Sequence, residues 1–240
     1  MDMSDARPVA LITGAGTGIG LATARLLASA GYRIAMVGRR ESVLRDAGAT
    51  LGEEGRDWAA LGADVADPAQ ALALPSRVVS QFGRLDALVN NAGWTPLKPV
   101  AAHTPEDVAQ IFAVNTIGPV LLLIGCLRLM QAAEGGRIVN VSSRASADPF
   151  PGLGVYGGAK AALNTLTKGL ANELGAQSAV RVFCVAPGAV ETPLLRSIIP
   201  ESALPREACL APEDVGAVIA DCVLGRRDAE SGSTIWVNSP

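Results

Sequence analysis

The chain has 240 residues, 49% of them apolar and only 4% aromatic, with a formal charge of −3. That length suits one α/β domain with a core of Ala, Val, Leu and Ile. The mildly acidic balance and the lack of a basic block argue against nucleic acid or an anionic membrane surface as partner.

Short β-rich runs alternate with longer helical ones. Taken in chain order, strands are expected at 9–13, 33–37, 58–62, 87–90, 137–141, 180–185 and 234–237. Helices are expected near 18–30, 41–53, 68–82, 105–132, 155–175 and 212–224. Such alternation implies right-handed crossovers and a parallel sheet covered on both faces. The expected fold class is therefore α/β: a single-domain, Rossmann-type doubly wound parallel sheet of about seven strands, with helices on both faces, over 1–240. No repeat, linker or low-complexity segment interrupts it. The longest apolar stretch, 117–127, contains Pro119 and Gly125 and reads as too short to span a bilayer. Residues 1–8 contain Asp2 and Asp5 and no apolar signal core, so a cytoplasmic location is expected. Cys126, Cys184, Cys209 and Cys222 are scattered, and His103 is the single histidine. No metal site is expected from these, only buried thiols.

Two motifs carry chemistry. The first strand leads directly into Gly14-Ala15-Gly16-Thr17-Gly18-Ile19-Gly20 and then a helix. Strand, glycine turn, helix is the context in which bare backbone approaches a pyrophosphate and a helix N-terminus offers unpaired N–H groups. The second motif is Tyr156 with Lys160 one helical turn on, thirteen and seventeen residues after Ser143. On a helix, i and i+4 share a face, so the ammonium is expected to lower the phenol's pKa and make it an acid/base group. The glycine loop, 90–93, Ser143 and 187–188 all follow predicted strands, so they converge at the carboxyl edge of the sheet, where such folds bind ligands.

In these features the chain resembles the classical short-chain dehydrogenase/reductase family over nearly its whole length. Thr13 to Gly20 is similar to the family's Thr-Gly-x-x-x-Gly-x-Gly motif, and Asn90-Asn91-Ala92-Gly93 to its Asn-Asn-Ala-Gly element. Asn115, Ser143, Tyr156 and Lys160 occupy positions like its four catalytic ones, and Pro187, Gly188, Val190 and Thr192 its nicotinamide segment. The resemblance implies hydride transfer between a nicotinamide and a carbonyl or secondary alcohol, as in a carbonyl or 3-oxoacyl reductase. Tyr156 would be the general acid/base and Ser143 the stabiliser of the substrate oxygen. Lys160 would bond the nicotinamide ribose, and Asn115 would position a water in a proton relay. Asn115 could equally be a buried asparagine satisfied by backbone.

Gly14, Gly16, Thr17, Gly18, Ile19, Gly20, Asn91, Ala92 and Gly93 would line the cofactor, together with Tyr156, Lys160, Pro187, Gly188, Val190 and Thr192. Asp64-Val65 resembles the adenine-contacting pair, although Asp64 could instead cap a turn or the helix from Pro68. Asn90 reads as structural support. After the second strand, Gly38 stands where an NAD-selective site carries an acid, and Arg39 and Arg40 follow. Guanidinium groups suit a 2′-phosphate, so NADP(H) is favoured over NAD(H). The alternative for Arg40 is a solvated pair with Glu41. Substrate-pocket candidates are Trp94, Arg144, Ala145, Phe150, Val155 and 194–210, an apolar set that fits a small-molecule ketone or β-keto ester. Arg144 could greet a carboxylate or point to solvent.

The apolar helices 105–132 and 155–175 resemble interface helices and imply a homo-oligomer, tetramer or dimer. Asn238-Ser239-Pro240 follows Val237 where the resemblance implies Asp-Gly-Gly, a segment that helps subunit packing in relatives. Competing readings are a non-catalytic NADP(H)-sensing protein of the same fold, which typically lacks the tyrosine or lysine, and an epimerase or dehydratase, which usually carries an extra substrate domain.

Overall fold

The computed structural model describes residues 6–238. The Asp2 and Asp5 of the N-terminal reading and the Ser239-Pro240 of the C-terminal one lie outside the described residues.

Seven parallel strands form one sheet in the order β3-β2-β1-β4-β5-β6-β7. They are β1 (Val9–Thr13), β2 (Arg33–Gly38), β3 (Trp58–Gly62), β4 (Ala87–Asn90), β5 (Gly136–Val141), β6 (Val180–Pro187) and β7 (Thr234–Val237). All five residues of β1 are buried, as an apolar Val-Ala-Leu-Ile-Thr run in mid-sheet requires. Successive side chains point to opposite faces. Ala10 and Ile12 therefore enter one core with Leu27, Val215 and Ile219, while Val9 and Leu11 enter a second with Leu74, Leu122 and Leu170.

The helices are α1 (Gly18–Ser29), α2 (Glu41–Gly48), α3 (Pro68–Phe82), α4 (Pro105–Phe112), α5 (Gly118–Ala132), α6 (Gly154–Leu174), α7 (Pro193–Ile198) and α8 (Pro212–Val223). Their starts are written locally. Asp67 accepts from the Ala69 and Gln70 amides ahead of Pro68, and Thr104 with Asp107 forms a capping box. The cap at Pro68 is thus Asp67, not Asp64. Strand order reverses between β2-β1 and β4-β5, and the loops leaving β1, β4, β5 and β6 open at this switch point.

Two expectations need correction. α2 ends at Gly48 rather than near 53, because Gly48 packs directly on the Trp58 ring, where a Cβ would lie 2.4 Å away. The apolar region around 117–127 is also not cut short by Pro119 and Gly125. A π-helical turn, Ala113–Ile117, joins α4 to α5, and Pro119 follows it as the second residue of α5 without breaking the run. The resulting 28-residue run, Pro105–Ala132, has length and hydropathy enough to cross a membrane. In this fold 44% of its most apolar window is buried, and α5 packs on α3, β4 and β5. Val108, Ile117 and Ile124 remain exposed along it. All four cysteines are buried free thiols.

Candidate active site

The glycine loop is clamped to the loop after β4. Thr13 Oγ1 accepts from the Asn91 and Ala92 amides, both at 3.0 Å, and Asn91 Nδ2 donates to the Thr13 carbonyl at 2.8 Å. Gly14 and Gly18 take left-handed backbone, φ 66° and 54°. A Cβ on Gly20 would sit 2.3 Å from the Gly14 carbonyl oxygen, so only glycine lets α1 start so close to the loop. The Thr17 side chain makes no capping bond to α1, and the first turn carries no acid. The N–H groups there stay available to an anion.

A cleft of about 200 Å³ runs beside this loop, lined by Gly14, Gly16, Thr17, Arg39, Arg40, Asp64, Val65, Ala92 and Gly93. It meets a second cavity of about 1010 Å³, with which it shares Gly14, Thr17, Ala92 and Gly93. The larger cavity is lined by Gly18, Ile19, Asn91, Ser143, Tyr156, Lys160, Pro187, Gly188, Val190 and Thr192. Of the site residues expected from sequence, Gly20 and Asn115 line neither space and are buried behind them. Arg39 and Arg40 make no ion pair among the described residues, whereas Glu41 pairs with Arg45 at 2.7 Å. The Arg40–Glu41 pair considered from sequence does not form.

Asp64 turns its carboxylate to the Ala66 amide at 2.9 Å, a local turn cap. Thr192 caps α7 by accepting from Leu195 N and donates to the Val190 carbonyl. Asn115 sits in the π-helical turn. Its amide donates to the carbonyls of Trp94 (2.7 Å) and Ile111 (2.8 Å), and its oxygen accepts from Trp94 N (3.3 Å). The side chain is therefore fully used in fixing the loop after Gly93.

α6 delivers Tyr156 and Lys160 and is pinned to the sheet by buried polar bonds. Asn90 donates to Asn140, which donates to Thr167 on α6; Ser142 donates to the Lys160 carbonyl and Thr116 to that of Ala159. Ser142 is thereby tied to α6, while Ser143 and Tyr156 both line the cavity and Ser143 Oγ accepts from the Ala145 amide at 3.1 Å.

Lys160 corrects one expectation. Its Nζ donates to the Val141 carbonyl at 2.8 Å and lies 5.8 Å from the Tyr156 ring centroid. Burial pushes the Tyr156 phenol up to about 12, outweighing the opposing bond from Ser143. The same burial brings Lys160 down to about 8. The ammonium does not hold the phenol below its ordinary range, because β5 takes the bond that the i,i+4 spacing offered to Tyr156. A phenol that stays protonated at neutral pH is a proton donor in waiting.

The pocket candidates divide. Arg144, Ala145, Phe150 and, from the 194–210 segment, Leu194, Leu195, Ile198, Ile199, Pro200, Ala203 and Leu204 line the large cavity. Val155 does not, being about 100° around α6 from Tyr156. Trp94 lines the narrower cleft and packs on the core beside α5. Leu210, at the end of the 194–210 segment, is buried in the core. Leu97, Asp148, Leu153 and Asn238 line the cavity unforeseen, since each lies in or beside a loop with no periodicity to read.

The geometry has close counterparts. The profile of the short chain dehydrogenase family matches residues 8–203. Dehydrogenase/reductase SDR family member 4 of Bos taurus is 39% identical over 189 residues, 78% of this chain and 67% of that one. Momilactone A synthase of Oryza sativa subsp. japonica is 34% identical over 191 residues, 79% and 69% of the two chains. The crystal structure of 3-ketoacyl-(acyl-carrier-protein) reductase from Brucella melitensis, complexed with NADH, superposes with a TM-score of 0.88 at 30% identity, covering 96% of each chain. Matched by that family's profile over most of its length, and by these relatives over two thirds or more of theirs, the chain belongs to the short-chain dehydrogenase/reductase family.

Proposed function

We propose that the chain is an NADP(H)-preferring reductase of carbonyl compounds, running in reverse as a secondary-alcohol dehydrogenase, within one domain spanning 1–240. One observation carries the reading: Ser143, Tyr156 and Lys160 line a cavity that meets a glycine-lined cleft, also lined by Arg39 and Arg40, which make no ion pair among the described residues. The glycine cradle, the free N–H groups at α1 and the Arg39/Arg40 pair fit a dinucleotide with a 2′-phosphate. When bound, the nicotinamide supplies a hydride to the carbonyl carbon. Ser143 donates a hydrogen bond to the substrate oxygen, and Tyr156 transfers its proton there as negative charge develops. Lys160 has ammonium protons beyond the one given to Val141, enough to bond the nicotinamide ribose and replenish the phenol. Thr192, Val190, Pro187 and Gly188 would hold the nicotinamide end of the cofactor, and Asn115 fixes the loop after Gly93 on the same cavity wall. The exposed Val108, Ile117 and Ile124 support a homo-oligomer, tetramer or dimer.

The test is loss of reduced-nicotinamide absorbance with NADPH and NADH over a panel of ketones. NADPH should be the better donor. The double substitution Arg39→Ser, Arg40→Ser should lower kcat/KM for NADPH by roughly 10- to 100-fold, the worth of one or two charge-assisted bonds, and leave NADH almost unaffected. Equal loss with both cofactors would remove the phosphate assignment.

The pH profile follows from the two shifted groups. Below about 8, Lys160 is charged and Tyr156 carries its proton, the state that reduction needs. Reduction should be flat from pH 6 to about 8 and fall as Lys160 neutralises above it. Oxidation needs the phenol to give up its proton and should rise over the same alkaline range. A reduction rate that increases above pH 8 would contradict this assignment of protons.

A further inference from the structure

We infer that the substrate is an uncharged, bulky apolar ketone, long-chain or polycyclic, rather than a sugar, a keto acid or a small polar carbonyl. The inference rests on the reductase reading above and concerns the wall of the cavity beyond Ser143 and Tyr156. The cavity of about 1010 Å³ is shared with the residues assigned to the nicotinamide, among them Gly18, Ile19, Gly188 and Thr192, so the chemistry of its outer wall, not its total volume, carries the inference.

One side of that wall is α7 and the residues after it. No side chain of α7 is fully buried, although Leu195 and Ile198, with Leu204 beyond, line the cavity. Apolar side chains at a helix face normally disappear into a core; these are left half-covered around an open space. The segment's polar groups are meanwhile spent on holding it in place. Arg196 pairs with Glu191 and donates through Nη1 to the Leu204 carbonyl at 2.7 Å, and Thr192 caps the helix. What α7 offers a ligand is alkyl surface.

The opposite side repeats this. Leu97, Phe150 and Leu153 line the cavity, and Phe150 is 59% exposed. Val100, 68% exposed, lies against the start of α6, where a Cβ on Gly154 would stand 3.3 Å from it, so the apolar rim continues outward. A contiguous exposed apolar rim at the mouth of a catalytic cavity is what an apolar ligand would cover.

Charge points the same way. Besides Lys160, the charged side chains on the wall are Arg144 and Asp148. Arg144 is drawn to β7: its guanidinium lies 5.9 Å from the Trp236 ring centroid and donates to Asn238 Oδ1 at 2.9 Å. Asp148 opposes an anionic substrate. Against α7, Leu97, Phe150 and Leu153, a polar substrate would surrender water bonds to alkyl surface.

The test is a homologous series of 2-alkanones, from butanone to dodecanone, with ω-carboxylated 2-alkanones and keto sugars alongside. With NADPH, kcat/KM should climb about fourfold per methylene until the cavity is filled. Phe150→Ser, at an exposed position, and Ile198→Ser should flatten that slope. Calorimetry with the Tyr156→Phe variant, NADPH-loaded, reads the same preference without turnover, as Kd tightening by a similar factor per methylene. A flat series in both measurements, or a preference for the carboxylated or sugar ketones, would overturn the inference while leaving the reductase reading standing. Tightening Kd without turnover of any ketone by the native enzyme would uphold the apolar site and sink the reductase reading.

Discussion

Tyr156→Phe should lower ketone turnover by about 10³-fold while leaving NADPH affinity close to that of the native protein. The substitution removes one oxygen and keeps the ring, so the cavity wall and the packing of α6 survive. What is lost is the phenolic proton of Tyr156, and positioned general acids contribute roughly 10²- to 10⁴-fold. The phenol's elevated pKa, about 12, makes the expectation sharper. In this environment Tyr156 enters reduction protonated. Steady-state kinetics with fluorescence titration of NADPH would check both halves. Turnover within tenfold of native would assign the proton to another group.

Gly157→Ala should be nearly as damaging to activity, for a purely geometric reason. Residue 157 lies on α6 next to Tyr156, and a Cβ there would stand 2.3 Å from the Ala145 carbonyl oxygen and 3.3 Å from Pro149. Ala145 belongs to the short turn that follows Ser143. The backbone carbonyl cannot rotate away as a side-chain end would, so α6 and the turn must separate. Alanine improves helix propensity by roughly 1 kcal/mol, but overpacking of this kind costs about 1–3 kcal/mol. The clash wins, and the Ser143–Tyr156 pair is pulled apart. A misplacement on the order of 1 Å at reacting groups costs about 10²-fold. Gly158→Ala is the matched control, because nothing lies within 4 Å of a Cβ there. It should retain activity and unfold at a slightly higher temperature. Equal kinetics for the two variants would mean that the turn yields without moving Ser143.

Much of the fold is legible because it is local. The all-buried Val-Ala-Leu-Ile-Thr run, the glycine turn and the Asp67-Pro68 and Thr104–Asp107 caps each declare an element within a few residues. Where the sequence misleads, a distant partner decides. β6 runs on to Pro187 because Ala186 and Pro187 pair with Trp236 and Val237, nearly fifty residues away. α2 stops early because Gly48 meets Trp58. The π-helical turn carries no signature in hydrophobic period; it becomes intelligible only once Asn115 is seen bonded to both carbonyl and amide of Trp94.

The same distinction divides the site. Spacing along α6 places Tyr156 and Lys160 on one helix, yet it cannot say where the ammonium points. The Val141 carbonyl, on a strand nineteen residues upstream, takes that bond and leaves burial to set the phenol's pKa. The apolar wall is assembled from Leu97, Leu153 and Leu204, which lie in separate loops and share no pattern in sequence.

The central claim is hydride transfer between a nicotinamide and a carbonyl carbon at Tyr156, and isotope transfer tests it most directly. The native protein would be incubated with NADPH deuterated at C4, in either configuration, and a long-chain 2-alkanone, and the product analysed by mass spectrometry. One of the two configurations should deliver a single deuterium to the carbinol carbon, and Tyr156→Phe should form that product about 10³-fold more slowly. Alcohol formed without deuterium from either configuration, or labelled alcohol formed equally fast by Tyr156→Phe, would contradict it.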